Sequence, residues 1–191
     1  MSEKQPTLLI IVASTRPGRV GLPVAEWFEA RALGQGDFDI DFADLKEIDL
    51  PFFDEPKHPR LQEYEHQHTK DWSARVAAAD AVAIVTPEYN FGFPAPLKNA
   101  LDFLSLEWNY KPVGLVSYGG VSAGTRSAQM IKQVVTTLKM MPLFENVSIP
   151  FVAQFLDEHG ALVPNDVMEN AADAMLAELR RVSDAMAPLR S

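Results

Sequence analysis

Apolar residues run almost unbroken at Leu8-Leu9-Ile10-Ile11-Val12-Ala13, Ala81-Val82-Ala83-Ile84-Val85 and Pro112-Val113-Gly114-Leu115-Val116-Ser117. Short runs without alternation are what a parallel strand buried on both faces requires. Phe38-Asp39-Ile40-Asp41-Phe42 alternates strictly and predicts a half-exposed edge strand. Val147-Ser148-Ile149-Pro150-Phe151-Val152 predicts a fifth strand, which its proline places at an edge. Between these runs the apolar spacing becomes helical. Val20, Val24, Trp27 and Phe28 mark one helix, with Pro23 tolerated near its start. Trp72, Val76 and Ala79 mark a second over residues 71–80, and Leu97, Leu101 and Leu104 a third. A longer helix is predicted over residues 125–140, with Met130, Ile131, Val134, Val135 and Leu138 facing inward. The last begins near Asn165, a good N-cap, and carries Met168, Ala172, Met175, Leu179, Val182 and Met186. That stripe reads as a helix covering a sheet in preference to a coiled-coil seam. Residues 50–68, rich in proline and charge, read as a long surface connection.

Alternating strands and helices predict a three-layer α/β domain around a parallel sheet. Right-handed crossovers leave few topologies, and five strands in one domain suit the order 2-1-3-4-5. At 191 residues, 47% of them hydrophobic, the chain fits a single domain with an ample core. A formal charge of −9 argues against nucleic acid or an anionic membrane as partner, though a small anion responds to local donors. With no cysteine, disulfides, thiolate catalysis and cysteine-ligated metals are excluded. No stretch is long enough to span a bilayer, and Met1-Ser2-Glu3-Lys4-Gln5-Pro6 lacks the order of a signal peptide, so a cytoplasmic location is expected.

Three loops follow three buried strands and precede helices, the place where open α/β sheets bind ligands. The first, Ser14-Thr15-Arg16-Pro17-Gly18-Arg19-Val20-Gly21, offers unpaired N–H groups, two hydroxyls and two guanidinium forks to a phosphate. It is neither a Walker loop nor a G-x-G-x-x-G fingerprint. Taken alone it reads equally as a plain turn, with Ser14 as helix cap and both arginines solvated. In the second, Pro87-Glu88-Tyr89-Asn90-Phe91-Gly92, Glu88 and Asn90 suit the edge of a heterocycle and Tyr89 and Phe91 a planar ring. The third, Ser117-Tyr118-Gly119-Gly120, exposes backbone N–H groups that suit the polar edge of a flat ring. Each loop alone reads as an ordinary connection; three together favour a site. Elsewhere, His66 and His68 beside Glu63 and Glu65 are spaced i,i+2, which does not align metal ligands on a helix, so a solvated segment and no metal are expected. No G-x-S-x-G elbow is present, and Lys98 reads as an ion-pair partner rather than a Schiff-base lysine.

On these residues the chain resembles the NADPH-dependent FMN reductase family of flavodoxin-like flavoproteins. The resemblance rests on Ser14-x-Arg16, on Pro87-Glu88-Tyr89-Asn90 with Pro94 and Leu97-Lys98-Asn99-Ala100-Leu101-Asp102, and on Lys111-Pro112-Val113 leading to Ser117-Tyr118-Gly119-Gly120. It spans residues 8–151. It implies non-covalent FMN, its phosphate on Ser14, Arg16 and the loop through Gly18, Arg19, Val20 and Gly21. The isoalloxazine is then held by residues 87–90, walled by Phe91, and by residues 117–120, with the N–H groups of Gly119 and Gly120 as candidates for stabilising charge on the reduced ring. NADPH or NADH is the implied hydride donor, in a ping-pong reaction, and quinones, azo dyes, flavins, oxygen and metal oxyanions such as chromate are accessible acceptors. A homodimer or dimer of dimers is implied, with Leu50-Pro51-Phe52-Phe53-Asp54-Glu55 lining the neighbour's site. Gly92-Phe93 departs from the family, many members of which carry a small polar residue at position 92. Two rival readings stay open: an electron-transfer or regulatory flavoprotein without its own NAD(P)H oxidation, and a phospholigand-binding module without flavin.

Overall fold

Five strands line up side by side in the computed structural model, which describes residues 5–190; Met1, Ser2, Glu3 and Lys4 of the amino-terminal segment lie outside the described residues. They are β1 (Thr7–Val12), β2 (Asp39–Asp44), β3 (Ala81–Pro87), β4 (Pro112–Tyr118) and β5 (Met141–Ile149). All pair in parallel in the order β2-β1-β3-β4-β5, the predicted arrangement. The helices are α1 (Gly21–Gln35), α2 (Leu45–Ile48), α3 (Gln67–Ala78), α4 (Ala95–Asp102), α5 (Thr125–Thr137) and α6 (Asp166–Met186).

The two-residue period of the strands sorts the core into two layers. Leu8, Ile10 and Val12 pack with Phe28 of α1 and Met175 and Leu179 of α6. Leu9, Ile11 and Ala13 pack with Trp72 of α3, Leu97 and Leu101 of α4 and Ile131 of α5. Every side chain of β3 and β4 is buried, which is why those strands read as unbroken apolar runs. Each buried leucine or isoleucine contributes roughly 1.5–3 kcal/mol, so this sheet centre is the stable floor on which the loops stand.

Asn165 caps α6 as expected, accepting from the Met168 N–H at 3.0 Å, and the apolar stripe of α6 lies on the sheet. Gly114 makes that approach possible: a Cβ there would overlap the Met175 side chain. Among the described residues, no helix is long and apolar enough to cross a membrane.

Several boundaries differ from the sequence expectation. The third helix starts at Gln67 rather than near 71, and the two residues that lead into it are held from far away: the Glu55 carboxylate accepts from Glu65 N at 2.8 Å and His66 N at 3.0 Å. Leu104 is buried but lies beyond the end of α4. The fifth helix stops at Thr137, and Met130, expected inside, is 45% exposed. β5 is the last strand of the sheet and so an edge strand, but it begins at Met141 and ends at Ile149, which leaves Pro150 outside it. A register irregularity between the partners of Val113 and Leu115 breaks the alternation that would have revealed the first half of β5.

Candidate active site

The carboxyl ends of β1, β3 and β4 are adjacent in the sheet, so the three loops share one edge. The loop after β1 enters α1 without any side-chain cap; Ser14 is fully buried and is not the cap. The main-chain N–H groups of Thr15, Arg16, Gly18 and Val20 make no hydrogen bond among the described residues, while Arg19 N donates to Arg16 O at 3.1 Å. Open donors therefore gather at the positive end of a helix dipole.

The two arginines of this loop have different surroundings. Arg16 is exposed, and its guanidinium makes no hydrogen bond or ion pair among the described residues. Arg19 is turned inward. Its Nη1 donates to Ser14 O and to Asp44 Oδ1, both at 2.6 Å, and its Nη2 pairs with Asp44 Oδ2. Both side chains of this pair are nearly buried, and the hydrogen bond to Asp44 raises the Arg19 pKa above its ordinary value. The expectation of a second free fork for a ligand is corrected: Arg19 fastens the loop to the end of β2. Asp44 carries no motif, and only its place at the end of the alternating strand hints at the pair.

The loop after β3 is a tight hairpin. Tyr89 N donates to Gly92 O and Gly92 N to Tyr89 O, both at 2.9 Å, and the two residues between have φ of 50° (Asn90) and 72° (Phe91). Two central residues with positive φ define a type I′ turn, for which Asn-Gly is preferred. Asn90 fits that preference, whereas Phe91 is strained, at a cost of about 1–3 kcal/mol. Phe91 is 63% exposed, and the Arg126 guanidinium carbon lies 3.9 Å from its ring centroid.

Glu88 was expected to address a heterocycle with its carboxylate. Instead the carboxylate caps α5: Oε2 accepts from Arg126 N at 3.1 Å, and Oε1 accepts from Arg126 Nε at 2.5 Å and Ser122 Oγ at 3.2 Å. The N-cap position of α5 is Gly124, which has no side chain for the task. Burial alone would raise the Glu88 pKa, but the Arg126 and Ser122 bonds outweigh it and hold the carboxyl below its ordinary range. Sequence reasoning missed Arg126. Its signal was a cation in the first turn of a helix, where the dipole disfavours one unless an acid stands close.

The loop after β4 is also internally braced. Ser117 Oγ donates to Ala123 O at 2.8 Å, and the buried Tyr118 donates from its hydroxyl to Ser14 Oγ at 3.2 Å. Burial pushes the Tyr118 phenol well above its ordinary pKa. A Cβ on Gly21 would overlap both Ser14 Oγ and the Tyr118 hydroxyl, so only glycine lets α1 start here. Gly119 N donates to Ile149 O at 3.2 Å, which removes it from the expected pair of open amides. Gly120 N makes no hydrogen bond among the described residues and Gly120 is exposed. The segment after β5 completes the brace, with Phe151 N on Gly120 O at 3.1 Å and Val152 N on Gly119 O at 3.2 Å.

Other residues singled out in the sequence lie apart from this edge. Lys98 pairs with Asp102 one turn on, at 2.8 Å to Oδ1. Its neighbour Asn99 pins the 51–53 segment, accepting from Phe53 N at 2.9 Å and donating to Pro51 O at 2.7 Å. His66 and His68 stack at 5.2 Å, and His68 Nε2 lies 2.9 Å from Asp54. A cavity of about 590 Å³ opens between Phe53, Arg60 and Leu106 on one side and Leu138 and Lys139 on the other.

Comparisons with known proteins show what family and fold the chain is similar to. The profile of the NADPH-dependent FMN reductase family matches residues 6–154. A NAD(P)H-dependent FMN reductase of Schizosaccharomyces pombe is 42% identical over 137 residues, covering 71% of this chain and 68% of the relative. An FMN-dependent NADPH-azoreductase of Staphylococcus haemolyticus is 30% identical over 132 residues, covering 68% and 69%. Among solved structures, the flavoenzyme FerB of Paracoccus denitrificans, a NAD(P)H:(acceptor) oxidoreductase, superposes with a TM-score of 0.69 at 20% identity, covering 96% of this chain and 98% of its own. A flavodoxin of Streptococcus pneumoniae shares the fold at a TM-score of 0.54 and 14% identity, covering 94% and 98%. The fold is flavodoxin-like, and the chain belongs to the NADPH-dependent FMN reductase family.

Proposed function

We propose that this protein is an FMN-dependent NAD(P)H oxidoreductase that passes electrons to a small-molecule acceptor of the quinone, azo, flavin or metal-oxyanion type. The observation that carries the reading is the donor-only cradle of residues 15–20. Open N–H groups stand at an uncapped helix start, an unpaired Arg16 stands beside them, and the nearby carboxylate of Asp44 is consumed by Arg19. Such a donor set fits a phosphate dianion and repels no part of it.

FMN supplies two-electron hydride chemistry when bound. The chain supplies position. Arg16 and the amides of Thr15, Gly18 and Val20 hold the phosphate. The Tyr89–Gly92 hairpin and the exposed amide of Gly120 flank the ring, one as a wall and one as a donor to its polar edge. Glu88, Ser117 and Tyr118 act from behind, as braces that keep the loops at fixed separation. No side chain is needed as nucleophile, and ping-pong kinetics, with the hydride donor leaving before the acceptor binds, belong to the same proposal.

A homodimer belongs to the same reading. Phe52 is 88% exposed and Val121 80%, apolar side chains that a second subunit would cover. The segment bearing Phe52, pinned by Asn99, is suited to reach the neighbouring subunit.

The test is ligand discrimination by the apoprotein. FMN should bind at least roughly tenfold more tightly than riboflavin, which lacks the phosphate. Equal affinities, or no flavin released on denaturing the purified protein, would overturn the assignment.

A further inference from the structure

Arg126 touches three things at once. Its Nε and Nη2 engage Glu88, whose side chain is only 6% exposed; Nη2 also donates to Ser122 Oγ at 2.7 Å; and the flat of the guanidinium lies 3.9 Å from the Phe91 centroid. The fork is immobilised by its hydrogen bonds, so the ring stacked on it has a fixed partner. That partner matters because Phe91 stands at φ 72° in a turn position that favours glycine. Nothing in the local sequence holds an aromatic residue in that conformation. The hairpin's own hydrogen bonds join Tyr89 and Gly92 and leave the tip residues to their intrinsic preferences.

We infer that Arg126 is a positioning residue that holds Phe91 as a rigid aromatic wall at the mouth of the site, making the Arg126–Phe91 stack a determinant of how ring-bearing substrates bind. The inference rests on the flavoenzyme reading above. One face of the ring is covered by the guanidinium, so what remains for a ligand is the opposite face and the edge. A planar nicotinamide or quinone meets a surface that is already ordered and loses less freedom in docking against it. Without the clamp, the tip relaxes from its strained conformation and the wall becomes a flexible flap. The stack acts on the binding of rings, and the reacting atoms do not touch Arg126.

The test compares Arg126→Lys, Phe91→Gly and the double variant in the FMN-loaded protein. Lysine keeps a charge for Glu88 while losing the planar fork and its stack; glycine accepts the positive φ and removes the ring. KM for a planar quinone should rise by roughly threefold to fivefold in either single variant, and in Arg126→Lys kcat should stay within about twofold of the wild type. The double variant should show no further rise, because the two residues act as one unit. Chromate, which has no ring to stack, should keep its wild-type KM in Arg126→Lys. Wild-type KM in Arg126→Lys, additive effects in the double variant, or an equal rise for chromate would each overturn the inference. Wild-type turnover in the same assay reads the flavoenzyme proposal separately: its absence sinks that reading, whereas normal wild-type turnover with an unaltered Arg126→Lys variant sinks only the clamp.

Discussion

The Tyr118 hydroxyl donates to Ser14 Oγ at 3.2 Å across 104 positions of sequence, with Gly21 packed against both atoms. This contact joins the end of β4 to the loop after β1 and so sets the width between that loop and the glycine turn. It explains why two residues chosen in the sequence as ligand contacts are buried. They hold the shape in which the exposed donors stand.

Gly21→Ala therefore tests the cradle. Helix propensity favours alanine by about 1 kcal/mol, but forcing a methyl group into this buried contact costs about 1–3 kcal/mol and spreads the loops. Thermal unfolding should move down and FMN affinity should fall together. A variant as stable as the wild type, with unchanged FMN affinity, contradicts the packing account.

The two arginines of the first loop should separate cleanly. Arg19→Ala leaves Asp44 nearly buried without its partner and should destabilise the fold by about 3–5 kcal/mol in urea titrations. Arg16→Ala removes an exposed, unpaired group and should change stability by less than about 0.5 kcal/mol. It should nonetheless weaken FMN by roughly tenfold, the loss of one charge-assisted contact. Equal effects of the two on stability would refute the distinction.

Lys111 gives a pH dependence of known sign. The amine is buried beneath the end of α3, donating to Val76 O and, at 3.2 Å, to Ala77 O. Burial, with the nearby Arg190 charge, lowers its pKa to about 8 from 10.5. Between those values the unfolded chain binds the proton that the folded chain has released, so this group makes stability rise with pH across that interval. Below pH 8 the full penalty of burying the charge applies. Lys111→Met should flatten the pH 8 to 10.5 slope in chemical unfolding. A slope unchanged by the substitution would show that another group carries it.

Asn99 links a family motif to the proposed dimer. Its amide grips Pro51 O and Phe53 N, fixing the backbone on either side of the exposed Phe52. Asn99→Ala should shift sedimentation velocity toward monomer at low protein concentration, and Phe52→Asp should do so more strongly. If both variants sediment as the wild type does, this segment is not at the interface.

The layout was legible in the sequence wherever one local signal decided it. Runs such as Leu8–Val12 report burial on both faces, and Asn165 announces its helix because its cap bond is three residues away. What stayed hidden was settled at long range. The lead-in to α3 is held by Glu55, the role of Arg19 depends on Asp44 and the task of Glu88 on Arg126, 38 positions later. Residue type told which groups were able to meet a ligand. It did not tell which of them the fold had already engaged, and a buried carboxylate paired with an arginine looks the same in sequence as a free one.

Anaerobic mixing of the FMN-loaded protein with NADPH or NADH tests the central claim most directly. The account predicts rapid loss of the oxidised flavin absorbance with at least one nicotinamide, followed by its return when a quinone is added. A flavin that stays oxidised in excess of both nicotinamides, while chemical reductants still bleach it, would contradict the oxidoreductase reading and leave only a flavin-binding protein.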